Sequence, residues 1–181
     1  DADVAIVGGG FTGLWTALAL AEQDPSLDVV VLEEGVCGHG PSGRNGGFIH
    51  GYWSHLTALR ERFGDNDARA VARAGEQIIP GVRAFCEREG VDAWLREGGM
   101  LRVSAAPAQD PAVDEEVDAA RELGVPEEAV PLSSDELAGR IRSPVFRRGV
   151  FLRDAATVHP GRLALGVRRA ALGRVRLYEH T

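Results

Sequence analysis

Lysine is missing altogether: all 20 basic residues are arginine. That excludes a Schiff-base lysine and any lysine ammonium set beside a cofactor. We read it as GC-rich codon usage in a bacterial source rather than as chemistry. Cysteine is nearly as scarce. Cys37 and Cys86 stand alone without C-x-x-C spacing, so neither a redox dithiol nor a zinc site is indicated. Cys37-Gly38-His39 reads as ordinary loop, and no metal is expected without further ligands in spacing. Positive charge is in deficit, with a net charge of −7 and no basic stripe, which argues against a nucleic-acid partner. No apolar run approaches the roughly 18 residues of a membrane span, and no signal peptide precedes the first apolar stretch. A cytoplasmic protein without a membrane partner is the expectation.

What the chain does hold is enough apolar material for a core: 44% hydrophobic against 26% charged residues, over 181 positions. There are 23 glycines, and their placement is the most informative feature. Val4-Ala5-Ile6-Val7 is a short β-branched run of the kind found in a parallel strand buried on both faces. Gly8-Gly9-Gly10-Phe11-Thr12-Gly13 follows, then an apolar run from Leu14 to Ala21, then Asp28-Val29-Val30-Val31-Leu32-Glu33. This order is strand, glycine turn, helix, strand, acid.

Gly8, Gly10 and Gly13 fit G-x-G-x-x-G. Gly8 permits the tight turn off the strand, Gly10 lets a pyrophosphate approach the backbone, and Gly13 lets the helix pack closely. The helix opening at Phe11 and Thr12 turns free N–H groups and its positive dipole end toward the phosphates. Glu33 ends the second strand where a carboxylate accepts hydrogen bonds from ribose hydroxyls. The unit is a dinucleotide site. An acid at Glu33 would repel the 2′-phosphate of NADP, which leaves NAD or FAD.

A second glycine-rich loop bears on that choice. Gly40-Pro41-Ser42-Gly43-Arg44-Asn45-Gly46-Gly47 follows soon after the acid, where a simple NAD domain would run into another helix and strand. Such a loop brings backbone N–H groups, Ser42 and Arg44 against a second part of a long cofactor.

Together, Val7-Gly8-Gly9-Gly10, Val31-Leu32-Glu33 and Ser42-Gly43-Arg44-Asn45-Gly46-Gly47 resemble the FAD-dependent amine and amino-acid oxidoreductases of the D-amino-acid oxidase family, above all its γ-glutamylputrescine oxidase type. Asp154-Ala155-Ala156-Thr157-Val158-His159-Pro160-Gly161-Arg162-Leu163 is similar to the segment by which that family returns from its substrate domain to its FAD domain. The likeness is loose between about 51 and 145. It implies an α/β fold with a Rossmann-like FAD/NAD(P)-binding domain of the glutathione-reductase type, and the start of an α+β substrate domain. The resemblance also implies a cofactor site made of Gly8, Gly10, Phe11, Thr12, Gly13, Glu33, Ser42, Gly43, Arg44, Asn45, Gly46 and Gly47. The first five would cradle the pyrophosphate, Glu33 would hold the adenosine ribose, and Ser42 to Gly47 would run beside the ribityl chain and flavin ring. Some relatives attach flavin covalently through a histidine in this loop. The best-matching position here is Arg44, so non-covalent FAD is expected.

Further along, His50-Gly51-Tyr52-Trp53-Ser54-His55 either lies close to the flavin or packs the connection into the next helix. His50 and His55 are five apart, which does not set them on one helical face. Helical periodicity runs from Asp65 to about Glu89, with Asp65 or Asn66 as cap, a kink or split at Pro80 and an end at Gly90. Gly98 to Ser104 reads as a strand. Asp110-Pro111 caps a helix with Val113, Val117, Ala120 and Leu123 inward, closed by Gly124. Ser133 to Glu136 opens a short capping-box helix reaching Ile141, and Phe146 to Leu152 is another strand. Pro160 begins a last helix, Gly161 to Leu172, with Leu163, Val167, Ala170 and Ala171 inward. Gly173 ends it, and Val175 to Glu179 returns as a strand of the nucleotide sheet.

The expected division is 1–50 for the first βαβ unit and flavin loop, 51–153 for a helical insert and partial substrate domain, and 154–181 for the return. Family members continue well beyond this length, so the chain reads as a fragment, inactive by itself. The implied activity is oxidation of the C–N bond of a small-molecule amine or amino acid by hydride transfer to flavin N5. The catalytic residues and oligomeric state stay unassigned. The competing readings are an NAD-dependent dehydrogenase, disfavoured by the second glycine loop and by the lack of a candidate proton shuttle, and a catalytically inert fragment.

Overall fold

The computed structural model describes residues 1–181. In chain order the elements are β1 (Val4–Val7), α1 (Phe11–Gln23), β2 (Val29–Glu33), β3 (Phe48–His50), α2 (Leu56–Gly75), α3 (Ile78–Glu89), β4 (Met100–Ser104), α4 (Asp110–Glu122), β5 (Val130–Leu132), α5 (Ser134–Arg140), β6 (Arg148–Leu152), β7 (Ala155–Thr157), α6 (Pro160–Leu172) and β8 (Arg176–Glu179). They form two compact units. One comprises residues 1–48, 83–95 and 158–181, and the other 49–82 and 96–157. Residues 83–95 therefore group with the nucleotide unit, against the expected single insert over 51–153. No helix is long and apolar enough to cross a membrane.

The first unit is a parallel sheet in the order β1-β2-β8, with Val4 paired to Val29 and Val30 to Arg176 in register. Helices α1 and α6 pack on each other, α1 on β2 and α6 on β8. Val29, Val31 and Ala17 form the centre of the core, with Val4, Ile6, Leu20, Leu27, Val175 and Leu177 around them. The expectation of burial on both faces holds for β2, where Val29, Val30 and Val31 are all buried. It fails for β1. Ala5 is exposed and Val7 is 86% exposed, because β1 is an edge strand of this sheet and the pleat turns these two residues away from the face that α1 covers.

The second unit holds an antiparallel sheet in the order β4-β6-β5. Its apolar face, including Val150 and Leu152, packs with Val113, Val117, Ala120 and Leu123 of α4 and with Leu56, Ala68 and Ala72 of α2. The period-3.6 reading of α4 is correct, with one change. Asp110 is the first helical residue rather than the cap. Its carboxylate accepts from Ser104 Oγ at 2.6 Å and from the Arg147 guanidinium at 2.9–3.2 Å. The Arg147 and then the Ser104 hydrogen bonds hold this carboxyl below the usual range. The capping box of α5 forms as read, with Ser133 accepting from the Glu136 N–H and Glu136 accepting from the Ser133 N–H.

The helical stretch expected from Asp65 to Glu89 forms, with more helix before it. Helix α2 starts at Leu56 but breaks at Gly64, whose φ of 77° leaves the helical region, so its second part begins at Asp65 as expected and the stretch from Leu56 to Phe63 is an additional helical segment before it. Of the kink or split expected near Pro80, the split is what forms. The chain separates into α2 and α3 just before it, and Pro80 falls in the first turn of α3, where its missing N–H costs no bond.

Candidate functional site

The glycine turn joins β1 to α1 at the carboxyl ends of the parallel strands. Gly8 has a φ of +101°, a conformation that a side chain would strain, and its N–H donates to the Leu32 carbonyl at 2.8 Å. A Cβ at Gly13 would fall on the carbonyl oxygen of Gly8, so the first turn of α1 closes down on the strand exit only because Gly13 lacks one. Gly10 is different. A Cβ there would meet nothing but the Ser42 Oγ, at 3.0 Å, and otherwise stands in open space. Gly10 is also the N-cap of α1, and it supplies no side-chain acceptor. The helix therefore begins over an open cradle, with Thr12 exposed beside it.

Ser42 closes the cradle from the other side. Its Oγ accepts the Phe11 N–H at 2.9 Å, and the hydroxyl retains a proton to donate to an anion. Glu33, at the end of β2, accepts from the Gly9 N–H at 2.7 Å through Oε2 and from the Gly35 N–H at 2.9 Å through Oε1. The hydrogen bonds from Gly35 and then Gly9 hold its carboxyl below the usual range. Each oxygen keeps a lone pair for a ribose hydroxyl.

The second glycine loop is braced from within. Asn45 Nδ2 donates to the carbonyls of Pro41 and Ser42 at 3.0 and 2.8 Å, while its Oδ1 accepts the Gly47 N–H at 2.8 Å. Its side chain thus shapes the loop. Gly43 lies against the Gly38 carbonyl, and Gly47 against the Val158 carbonyl, where a Cβ would clash in both cases. Gly46 and Arg44 are exposed. Gly8, Gly10, Phe11, Thr12, Gly13, Glu33 and Ser42 therefore converge on one cradle. Gly43 to Gly47 form the adjoining loop, in which Asn45, Gly43 and Gly47 serve the backbone.

Sequence reasoning missed the floor beneath this cradle. Glu179, at the end of β8, is in register with Glu33. Its Oε1 accepts the Cys37 N–H at 2.8 Å, and both oxygens accept the Arg168 guanidinium at 2.7 and 2.6 Å. The Arg168 hydrogen bonds pull this carboxyl down to about 2. Cys37 is fully buried, with its thiol pushed up to about 11 by burial and then by Glu179. The available signal was that β2 and β8 are both short strands ending in glutamate.

The His50–His55 segment belongs to the second unit. Trp53 is buried and donates from Nε1 to Glu76 at 3.1 Å, and Ser54 is buried beside it. His50 Nδ1 lies 3.0 Å from the Gly51 carbonyl. This is the packed connection. The two histidine rings do meet, with centroids 5.3 Å apart, because a 3-10 turn at Trp53–His55 precedes the helix and alters the spacing.

The donor set fits a dinucleotide: an open cradle at a helix N-terminus for phosphates and a carboxylate at the next strand end for ribose. The DAO family model, described as FAD dependent oxidoreductase, matches residues 3–181. The chain is 31% identical to the gamma-glutamylputrescine oxidoreductase of Escherichia coli (strain K12), over 98% of this chain and 41% of that protein. It is 32% identical to the probable oxidoreductase OrdL of Rhizobium meliloti, over 99% of this chain and 42% of that protein. It thus spans about two fifths of these relatives. Among solved structures, glycine oxidase from Geobacillus kaustophilus superposes with a TM-score of 0.77 at 22% identity, covering 99% of this chain and 46% of that one. L-alpha-glycerophosphate oxidase from Mycoplasma pneumoniae, with FAD bound, gives 0.71 at 18%, covering 99% and 45%. These two likenesses show the fold.

Proposed function

Since the chain belongs to the DAO family of FAD-dependent oxidoreductases, we propose that the whole protein oxidises a C–N bond of a small amine or amino acid, with FAD held non-covalently on the glycine cradle. The observation that carries the site is the open space over Gly10 between the α1 N-terminus and Ser42, with Glu33 at the neighbouring strand end. The substrate class rests on the likeness to the E. coli gamma-glutamylputrescine oxidoreductase. When bound, FAD would supply the two-electron redox chemistry, with its N5 as the hydride acceptor.

The chain's own part is to bind and orient. The N–H groups of Thr12 and Gly13, with the α1 dipole, hold the pyrophosphate. The Ser42 hydroxyl donates to a phosphate oxygen, and Glu33 accepts from the adenosine ribose. The loop Ser42–Gly47 would lie along the ribityl chain and ring, where the Arg44 guanidinium would favour negative charge on the cofactor, the Gly43, Arg44 and Gly47 N–H groups being donated within the glycine loop itself. Arginine cannot form the flavin linkage that a histidine at this position would allow, which supports a non-covalent cofactor.

Glu33→Gln weakens FAD binding by about 1.5–3 kcal/mol, the value of hydrogen bonds to a charged group, which is roughly one to two decades in Kd. Because the Gly35 and Gly9 N–H groups depress the Glu33 carboxyl, its contribution is complete above the ordinary carboxylate range. It disappears only as pH falls through the lowered value. FAD affinity of the wild type is therefore flat from about pH 5 to 8. A carboxylate titration in that window, measured by flavin fluorescence, would count against the role of Glu33.

The substrate proposal is tested by anaerobic mixing of the full-length gene product with γ-glutamylated diamines, free diamines, glycine, and D- and L-amino acids. Bleaching of the flavin absorbance by a member of this set is expected. Bleaching by a hydroxy acid or sugar alcohol, with none by any amine, would refute C–N oxidation.

A further inference from the structure

The Glu34–Gly38 segment lies directly beneath the cradle, and its hold on the glycine turn runs through a chain of contacts. The Gly38 N–H donates to the Gly9 carbonyl at 2.8 Å. The Cys37 Sγ sits where a Cβ of Gly9 would fall, so the turn rests on the thiol. The Cys37 N–H in turn points to Glu179 Oε1 at 2.8 Å. Glu179 is fixed by Arg168, whose Nε and Nη2 meet the two carboxylate oxygens at 2.7 and 2.6 Å, a bidentate fork. One helical turn before Arg168 on α6, Ala164 lies against Gly38 and would be struck by a Cβ there. The strand end adds two backbone links, from the His180 N–H to the Gly35 carbonyl at 3.0 Å and from the Thr181 N–H to the Glu33 carbonyl at 3.1 Å.

Charge gives the same arrangement a second consequence. Glu33 and Glu179 occupy paired register positions on adjacent parallel strands, so two carboxylates would face an anionic pyrophosphate. Arg168 cancels the second. Only Glu33 then keeps an uncompensated charge, and its own partners are backbone N–H groups.

We propose that Glu179 is a positioning residue of the cofactor site: with Arg168 it accepts the Cys37 N–H, clamps the Glu34–Gly38 segment beneath the glycine turn, and so fixes the cradle before FAD arrives. The proposal rests on the FAD reading of that cradle. It differs from a simple ion pair between α6 and β8 in one respect, since what the cradle needs from residue 179 is an acceptor oxygen for Cys37.

The test compares the full-length gene product with Glu179→Ala, Glu179→Gln and the charge swap Arg168→Glu/Glu179→Arg. Three readouts are taken: the Kd of the apoprotein for FAD, the thermal midpoint, and the rate of Cys37 alkylation by iodoacetamide, located by peptide mass so that Cys86 does not interfere. Glu179→Ala raises the Kd at least tenfold and exposes Cys37 to alkylation. Glu179→Gln keeps an amide oxygen for the Cys37 N–H and stays within about threefold of wild type. The swap recovers the midpoint but not the affinity, because arginine offers no acceptor. Wild-type affinity in Glu179→Ala, or recovery of affinity by the swap, would overturn the proposal. Should Glu179→Ala fail to fold, the order of Glu179→Gln against the swap decides. Should the wild type take up no FAD, the cradle reading itself fails. The alkylation rates then judge the clamp separately, with faster alkylation expected in Glu179→Ala and in the swap but not in Glu179→Gln, and wild-type rates in Glu179→Ala and in the swap refuting it.

Discussion

Gly10→Val abolishes FAD binding and leaves the protein folded. Position 10 has an extended backbone, with φ −79° and ψ −174°, that valine adopts without strain. The only atom an added Cβ meets is the Ser42 Oγ at 3.0 Å, the end of a side chain that can rotate. The apoprotein should therefore lose no more than about 1 kcal/mol, the scale of the Phe11–Ser42 hydrogen bond it disturbs. The valine methyl groups, however, fill the space through which a pyrophosphate reaches the α1 N-terminus. A rise in Kd of at least about 100-fold, near 2.7 kcal/mol, is expected by titrating apoprotein with FAD, with a thermal midpoint close to wild type. Retention of full flavin would mean that the phosphates lie elsewhere.

Gly13→Val loses both. The Cβ would land on the carbonyl oxygen of Gly8 and within 3.3 Å of Ile6 Cγ2. The first obstacle is main chain and cannot rotate away, so α1 must lift off the sheet. That uncovers Leu14 and Ala17, both fully buried. A loss of about 3 kcal/mol or more is expected, a fall of roughly 6–12 °C in the thermal midpoint for a domain of this size, together with loss of flavin. The two glycines are three residues apart in one motif. Their variants separate in the melting curve because only one of them faces an empty space.

Much of this site was legible because it is local. Val4 to Glu33 sets its elements by period, by glycine spacing and by the strand-ending acid, and β1, α1 and β2 appear where those signals place them. Two helix starts were equally readable, while Asp110 lies one residue inside the helix it was expected to cap. Ser133 with Glu136 forms its box, and Pro160 opens α6. The three-residue strands β3, β5 and β7 escaped, because they are too short to show a period and β5 carries Pro131 at its centre. The helical segment from Leu56 to Phe63 and the grouping of residues 83–95 with the nucleotide unit depend on tertiary context that no window of sequence contains. The role of Glu179 was hidden for the same reason, since Cys37 lies 142 positions away in the chain. Asn45 sits in the expected loop, and its bracing of the backbone was not legible because it depends on the folded loop conformation.

The central claim is that this cradle holds FAD without a covalent bond. The most direct measurement is the visible spectrum of the full-length gene product, followed by acid precipitation and chromatography of the released chromophore. A yellow protein is expected, whose flavin passes entirely to the supernatant and elutes as FAD, about one per chain. A colourless protein that cannot be reconstituted with FAD would contradict the site. Flavin that stays with the precipitate would contradict the non-covalent attachment.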